Sequence, residues 1–588
     1  MMTTRHVVRT TLPTLLMGFL VSASTIHVAG CSAGGDSGGG TSSASAGTPG
    51  AEQAVGERLF LETRFAQSFK VFLDNGGNVN SANINDPVVD SVETTTPGQP
   101  ISPGPFQGKS INCRSCHFVD DTLGTQGGGM RTYSDFARRS PVPARSDGKT
   151  HTPRNSPPLV NASLDRPGGP LFHFDAEFNS MEDLVAATFT GRNFGWLPGE
   201  RAQAIAHIAR VVRGDNGTGD LAQQFDGLPY RILFTGTNAS IPEEYRLPPE
   251  FRVFVGSGSD QEIFDAVVKV VAAYVKGLLF SQTDDNGTPI RSPFDVFLQL
   301  NGLPQQPDAN ESPLDYSRRL RALITDPQFV PQFVTANPNT PDGQFQFHNQ
   351  PFVFGAQELE GLKSFLAEPS QIPPTAAELA AGKVGNCLAC HPAPNFTDFR
   401  FHNTGTTQNE YDAIHGNGSF MALSIPDLAT RNAHHNQYLP ATEQHPGAQE
   451  PFRSIPSVAD RALVDLGLWN IFANPDMPNP QVKIRAILCE SHPAPCPADN
   501  VLLVDTVAAF KTPGLRDLGH SSPYMHNGQF DTLDAVVGFY RGVSSQARSG
   551  TLRNGDLPIN RQVQGIALTA NDVAALVAFL QSLNEDYQ

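Results

Sequence analysis

Apolar residues recur at three- and four-residue intervals in seven stretches, a period that predicts amphipathic helices. These stretches are 51–66 (AEQAVGERLFLETRFA), 181–188, 200–213, 260–279, 313–325, 356–367 and 570–583. Strand-like alternation is scarce, and segments rich in Gly, Pro and Asn separate the helices. The frame repeats: a helix at 51–66 or 356–367 opens each half, and one at 260–279 or 570–583 closes it. The polar run 336–350 separates the halves, which gives an N-terminal domain over 53–345 and a C-terminal domain over 346–588. The expected fold is mainly α, two helical domains with long irregular loops.

Composition supports the loops, since Gly 53 and Pro 48 among 588 residues exceed ordinary usage. With 17% charged and 39% hydrophobic residues, the chain reads as folded and soluble. A net charge of −17 would repel a phosphate backbone, so no nucleic-acid partner is expected. Residues 1–30 read as a lipoprotein-type signal peptide, with Arg5 and Arg9 ahead of the apolar Leu12–Leu20 stretch. The segment ends Val28-Ala29-Gly30-Cys31, which resembles a lipoprotein box in which Cys31 is lipidated; an ordinary signal peptide with a chance cysteine is the alternative. Residues 31–52 form a Gly/Ser-rich tether. The expected location is therefore the periplasm or cell envelope, with the membrane reached through a lipid anchor only.

The seven cysteines carry the chemistry. Cys113-Arg-Ser-Cys116-His117 and Cys387-Leu-Ala-Cys390-His391 are two C-x-x-C-H motifs. This spacing puts two thiols within reach of the haem vinyl groups and an imidazole beneath the iron, so it predicts two covalently bound c-type haems. Zinc would need Cys pairs linked by a short loop, and a redox dithiol would need a βαβ context that neither flank shows. Cys489 and Cys496 span a Pro-rich loop and read as a disulfide, which an exported protein permits.

Several further strings resemble the bacterial di-haem cytochrome c peroxidase and MauG superfamily. They are Gly56-Glu-Arg-Leu-Phe60 with Arg64, Arg154-Asn155-Ser156-Pro157 through Asn161-Ala162, Ser292-Pro293-Phe294-Asp295, and Gln357-Glu358-Leu-Glu-Gly361. Phe401-His402-Asn403-Thr404-Gly405, Lys511-Thr512-Pro513-Gly514-Leu515-Arg516 and Pro523-Tyr524-Met525-His526-Asn527-Gly528 follow in the family's order. The resemblance implies two cytochrome c-like domains, a catalytic N-terminal haem, an electron-relay C-terminal haem and a calcium ion between them.

Carried over residue by residue, the resemblance departs at two positions. In Phe172-His173-Phe174-Asp175, Phe174 stands where the family has a Trp between the haems. Phe194, in Gly191-Arg-Asn-Phe-Gly-Trp196, falls where the peroxidases carry a distal Glu, and Phe has no titratable group to act as acid or base. Phe194 instead resembles the apolar distal pocket of the di-haem rubber oxygenase branch; plain core packing is its alternative. For the C-terminal haem, Tyr540 occupies the sixth-ligand place used by Met in peroxidases and Tyr in MauG, with Met525 and His526 as rivals and a half-buried tyrosine as the alternative. His151 is a candidate removable distal ligand, although a solvated loop histidine is the commoner case. Asn155 and the carbonyls around Thr512 and Pro513 lie in the segments that frame calcium in the family.

The segments 67–110, 214–258 and 410–506 are long, and read either as walls of a substrate site or as surface elaboration. Trp196 and Trp469 read as packing residues or redox way-stations. The leading expectation is a di-haem oxidoreductase of the peroxidase type, activating hydrogen peroxide at the N-terminal haem and moving electrons through the C-terminal one, with a small electron-donor protein as partner. A haem dioxygenase that uses dioxygen on an apolar substrate, and a lipid-anchored electron carrier without enzymatic activity, are the alternatives.

Overall fold

The computed structural model describes residues 50–80, 112–113, 116–117, 139, 142, 145–149, 151–279 except 165 and 167, 291–345, and 348–585. Residues 1–49, with the signal segment, Cys31 and most of the tether, lie outside the described residues.

Two helix crossings organise the chain. Helix Ala51–Phe60 packs against Asp260–Gly277, and helix Ala356–Phe365 packs against Val573–Gln581. Each crossing is close because a glycine sits in it. A Cβ on Gly56 would overlap the carbonyl of Val270, and one on Gly361 would overlap that of Ala575. The approach buries Val55, Leu59, Phe60, Ile263, Val267 and Val271 in one core. Leu362, Phe365, Phe579 and Leu583 lie in a second.

Local signals fix the helix ends. Ser259 accepts from Glu262 N while Glu262 reaches back to Ser259 N, a capping box at the start of Asp260–Gly277. The helix expected over 51–66 stops at Phe60, because the chain turns to bury the Glu62 carboxylate. That carboxylate takes hydrogen bonds from Arg64 Nε (2.7 Å) and Tyr230 Oη (2.8 Å). Asp215 completes this network with Arg58 (3.2 Å) and Arg64 (3.0 Å).

The second core also draws on helices that precede the polar run near residue 345. Helices Pro293–Leu300 and Pro313–Thr325 contribute Phe294, Phe297, Tyr316 and Leu320 to the second core, beside Phe354 and Phe396. Within the polar run itself, Asn337 and Phe345 are buried, and Phe345 belongs to that same core. The 410–506 region, read as a wall of a substrate site or as surface elaboration, builds a third core around Trp469, Phe472, Leu488 and Leu502, with Leu171 and Ala176 of the first half inserted into it.

Among the described residues the one sheet has two short strands, Phe401–His402 and Phe510–Lys511, antiparallel with Phe401 opposite Lys511. No helix of the described residues is long and apolar enough to cross a membrane.

Candidate functional site

The second Cys-x-x-Cys-His motif folds as a 3-10 turn, Cys387–Ala389, entered through Asn386 at φ 50°. Asn386 Nδ2 donates to the carbonyl of Gln562 (2.8 Å) and so holds the turn against the 3-10 segment Arg561–Gly565, which precedes helix Val573–Gln581. Cys390 N and His391 N both donate to the carbonyl of Cys387, at 3.1 and 2.7 Å. Both thiols and the imidazole thereby line one cavity of about 310 Å³.

His391 Nδ1 lies 2.7 Å from the carbonyl of Phe396. A carbonyl only accepts, so Nδ1 carries the proton and Nε2 keeps the lone pair that ligation needs. Burial depresses the pKa of this imidazole and favours its neutral form. Cys387 and Cys390 are not disulfide-bonded, and burial pushes the Cys387 thiol up to about 12.

A second wall comes from helix Leu533–Arg548, whose first turn is capped by Thr532. It contributes Val536, Val537 and Tyr540, while Ile566, Leu576 and Leu580 add further apolar surface. The Tyr540 phenol is pushed up by burial and by the neighbouring Cys390 and Cys387, against a hydrogen bond from Thr404. An apolar chamber with a neutral imidazole, two thiols and a phenol on its walls fits a covalently attached haem.

The cavity extends to the first half. Asn155 and Phe174 line it together with Thr512, Met525 and His526. Asn155 Oδ1 accepts from Ser156 N (3.0 Å), Asn155 Nδ2 donates to the Pro523 carbonyl (2.7 Å), and Thr397 Oγ1 donates to the Thr512 carbonyl (2.8 Å). Lys511 was not singled out from sequence. Its ammonium is buried in the cavity wall, donates to the Leu171 carbonyl (2.8 Å), and is pushed down to about 7 by burial and then by Arg166. The Lys511-Thr512-Pro513 string gave its position, but only the tertiary fold reveals its burial.

The described residues of the first motif repeat the same backbone hydrogen bonds. Cys116 N and His117 N donate to the Cys113 carbonyl at 3.1 and 3.0 Å, and Asn112 Nδ2 donates to the Leu61 carbonyl (2.9 Å), as Asn386 does in the second motif to its own partner. Cys113 and Cys116 pack against the first core, which holds Phe194 and Trp196, and burial pushes the Cys113 thiol up. Phe194 closes a 3-10 turn, Arg192–Phe194, and sets its ring edge-on to Phe189 at 5.1 Å. Neither Phe194 nor His151 lines the cavity that holds Tyr540. His151 is half-buried, and burial, then Arg139, lowers its pKa. Cys489 and Cys496 are disulfide-bonded.

No family model matches the chain. Cytochrome-c peroxidase IdrP2 of Denitromonas iodatirespirans is 27% identical over 207 residues, 35% of this chain and 38% of that protein. Cytochrome-c peroxidase IdrP1 of Pseudomonas sp. (strain SCT) is 35% identical over 205 residues, 34% of this chain and 37% of that protein. Methylamine utilization protein MauG of Methylophilus methylotrophus is 36% identical over 76 residues, 13% of this chain and 20% of that protein. The chain thus spans less than two-fifths of the length of the relatives it matches. Among solved structures, the diheme peroxidase BthA of Burkholderia thailandensis aligns with TM-score 0.38 at 16% identity, over 91% of this chain and 86% of that one. Over part of its length the chain is thus similar in sequence to cytochrome-c peroxidases and to MauG.

Proposed function

We propose that this chain is an exported di-haem c-type oxidoreductase that uses hydrogen peroxide as its oxidant. The carrying observation is the pair of matching Cys-x-x-Cys-His turns, one of them opening into a cavity that also holds Tyr540 and Phe174. Haem bound at these motifs supplies the redox chemistry. The residues of the chain set its surroundings. Cys113, Cys116 and His117 would hold the haem that meets peroxide, and Cys387, Cys390 and His391 the haem that relays electrons from a small donor protein.

At the relay site the Phe396 carbonyl orients His391, and Tyr540 is the candidate ligand from the facing helix, with Met525 and His526 of the same cavity as its rivals. Phe174 stands on the cavity wall contributed by the first half, where it would lie on the electron path. On the peroxide side, the core around Phe194 and Phe189 keeps water from the packed side of the first motif, while His151 is the candidate removable ligand. Asn155 and the Thr512 carbonyl, on two segments of one cavity, are candidate oxygen ligands for calcium. Cys31 would carry the lipid. The names of the sequence relatives favour this reading over the dioxygenase and the plain electron carrier.

The test is the haem-loaded protein with hydrogen peroxide and a reduced electron donor. The expected result is two covalent haems per chain, peroxide-dependent donor oxidation, and loss of that activity in the Cys113→Ala/Cys116→Ala protein. Absence of any optical change with peroxide, before and after one-electron reduction, would overturn the proposal.

A further inference from the structure

A second cluster of ligating side chains lies in the 410–506 region, on a surface cleft that shares no residue with the haem cavity. Asp476 Oδ2 is 2.7 Å from His445 Nδ1 and 3.5 Å from His435 Nε2. The three ligand atoms lie within 4.8 Å of one another. Around a tetrahedral zinc ion with bonds of about 2.0 Å, ligand atoms are separated by roughly 3.3 Å. The measured spacings bracket that value.

Two further oxygens point to the same place. His435 Nε2 donates to the Pro440 carbonyl (3.1 Å), so an ion bound at that nitrogen would shift its proton to Nδ1 and leave the carbonyl facing the ion, and Thr442 Oγ1 donates to Asp476 Oδ2. Thr442 Oγ1 also accepts from His445 N (3.1 Å), which fixes the turn that carries the second histidine.

The imidazoles of His435 and His445 stack with centroids 3.8 Å apart and planes at 13°. A single Asp–His hydrogen bond needs only one of these rings. The second ring, 6% exposed, aims its nitrogen at the same carboxylate oxygen.

The supporting structure is rigid. Arg431, fully buried, donates to the carbonyls of Trp469 and Phe472, and Asn432 Nδ2 donates to that of Ala473 (3.0 Å). These bonds tie the segment bearing His435 to the segment bearing Asp476, so the ligands are positioned before any ion arrives.

We propose that His435, His445 and Asp476 form a binding site for one divalent first-row transition-metal ion of the zinc class, open to solvent on the cleft side. Two imidazole nitrogens and one carboxylate favour such an ion over calcium, which takes six or more oxygens. The ion would replace the proton shared by His445 and Asp476. The site stands independently of the haem reading.

The experiment is calorimetric titration of the tag-free, haem-loaded full chain, stripped with a chelator that leaves covalent haem in place, using zinc chloride and, separately, copper and calcium chlorides. One equivalent of zinc or copper is expected to bind, and calcium, even where it is taken up elsewhere on the chain, should not compete with it. His445→Ala and Asp476→Asn should each weaken binding by roughly tenfold or more. His434→Ala, an exposed histidine on the same cleft, should bind as the wild type does. Circular dichroism and the haem spectrum would establish that the variants remain folded; His445 is 36% exposed, so its removal leaves the core intact. No uptake of zinc or copper, or equal affinity in the His445→Ala and Asp476→Asn proteins, would overturn the proposal.

Discussion

His391 and Phe396 fix each other: the Nδ1 proton of the histidine is given to the phenylalanine carbonyl at 2.7 Å, and the ring of that phenylalanine is fully buried. Phe396 holds φ at 52°, a left-handed conformation that costs a non-glycine residue on the order of 1 kcal/mol or more. Its ring is held by Phe294 (5.6 Å), Phe365 (5.9 Å) and Phe579 (6.0 Å), so core packing sustains the strained backbone that aims the carbonyl.

Phe396→Ala removes that clamp. We expect a loss of about 3–4 kcal/mol in stability, read by urea denaturation, and a broadened spectrum of the C-terminal haem as His391 loses its fixed orientation. Phe396→Leu should retain most of both. An unchanged haem spectrum in the alanine variant would show that the Phe396 ring does not govern His391.

Tyr540 and Met525 make opposite predictions for the C-terminal haem. A phenolate ligand lowers a haem reduction potential and a thioether raises it. Tyr540→Met should therefore raise the potential by on the order of 100 mV, as measured by potentiometric titration, while Met525→Leu leaves it in place. The reverse pattern would assign the ligand to Met525.

The haem motifs were legible because their chemistry is local, needing only a spacing and a turn. The opening and closing helices were legible from their apolar period, and 313–325 ends as a helix where its pattern ends. What escaped was set by distant partners. Phe60 ends its helix because Glu62 must meet Tyr230, 168 residues on. The polar, Pro-rich 410–506 segment hides a core because its few apolar residues converge on Trp469 only after folding. Nothing local marks Lys511 as enclosed; that follows only once the fold brings the Leu171 carbonyl and Arg166 beside it. The allegiance of the helix at 293–300 escaped for a related reason: only the packing of Phe294 and Phe297 reveals which core it serves.

Gly361 offers a test of the helix crossing. Gly361→Ala would force its methyl into the Ala575 carbonyl and the Phe579 Cβ, so the helices must separate. A loss of about 1–3 kcal/mol is expected. Gly542 sits in helix Leu533–Arg548 with nothing within 4 Å of a built Cβ. Gly542→Ala should gain about 0.5–1 kcal/mol through helix propensity. Thermal melts of the two variants would separate close packing from propensity, and equal effects would refute the steric account.

His207 sets a pH dependence in the first core. Its Nε2 donates to the Arg64 carbonyl (2.8 Å), its Nδ1 is buried with no hydrogen-bond partner, and Trp196 and Phe69 flank the ring at 5.9 and 6.2 Å. Burial, the largest influence, lowers its pKa from 6.5 to about 4. The unfolded chain therefore binds this proton more readily than the folded one between those values. The stabilisation is complete above about pH 6.5, shrinks as pH falls, and is lost near pH 4, a swing of about 3 kcal/mol. His207→Gln keeps a side-chain N–H for the Arg64 carbonyl but cannot titrate. It should lower stability at pH 7.5, where the native packing is lost, yet flatten the decline between pH 6.5 and 4.5 relative to wild type. Urea denaturation midpoints across that range would report both effects, and parallel curves for the two proteins would remove His207 as the source of the acid sensitivity.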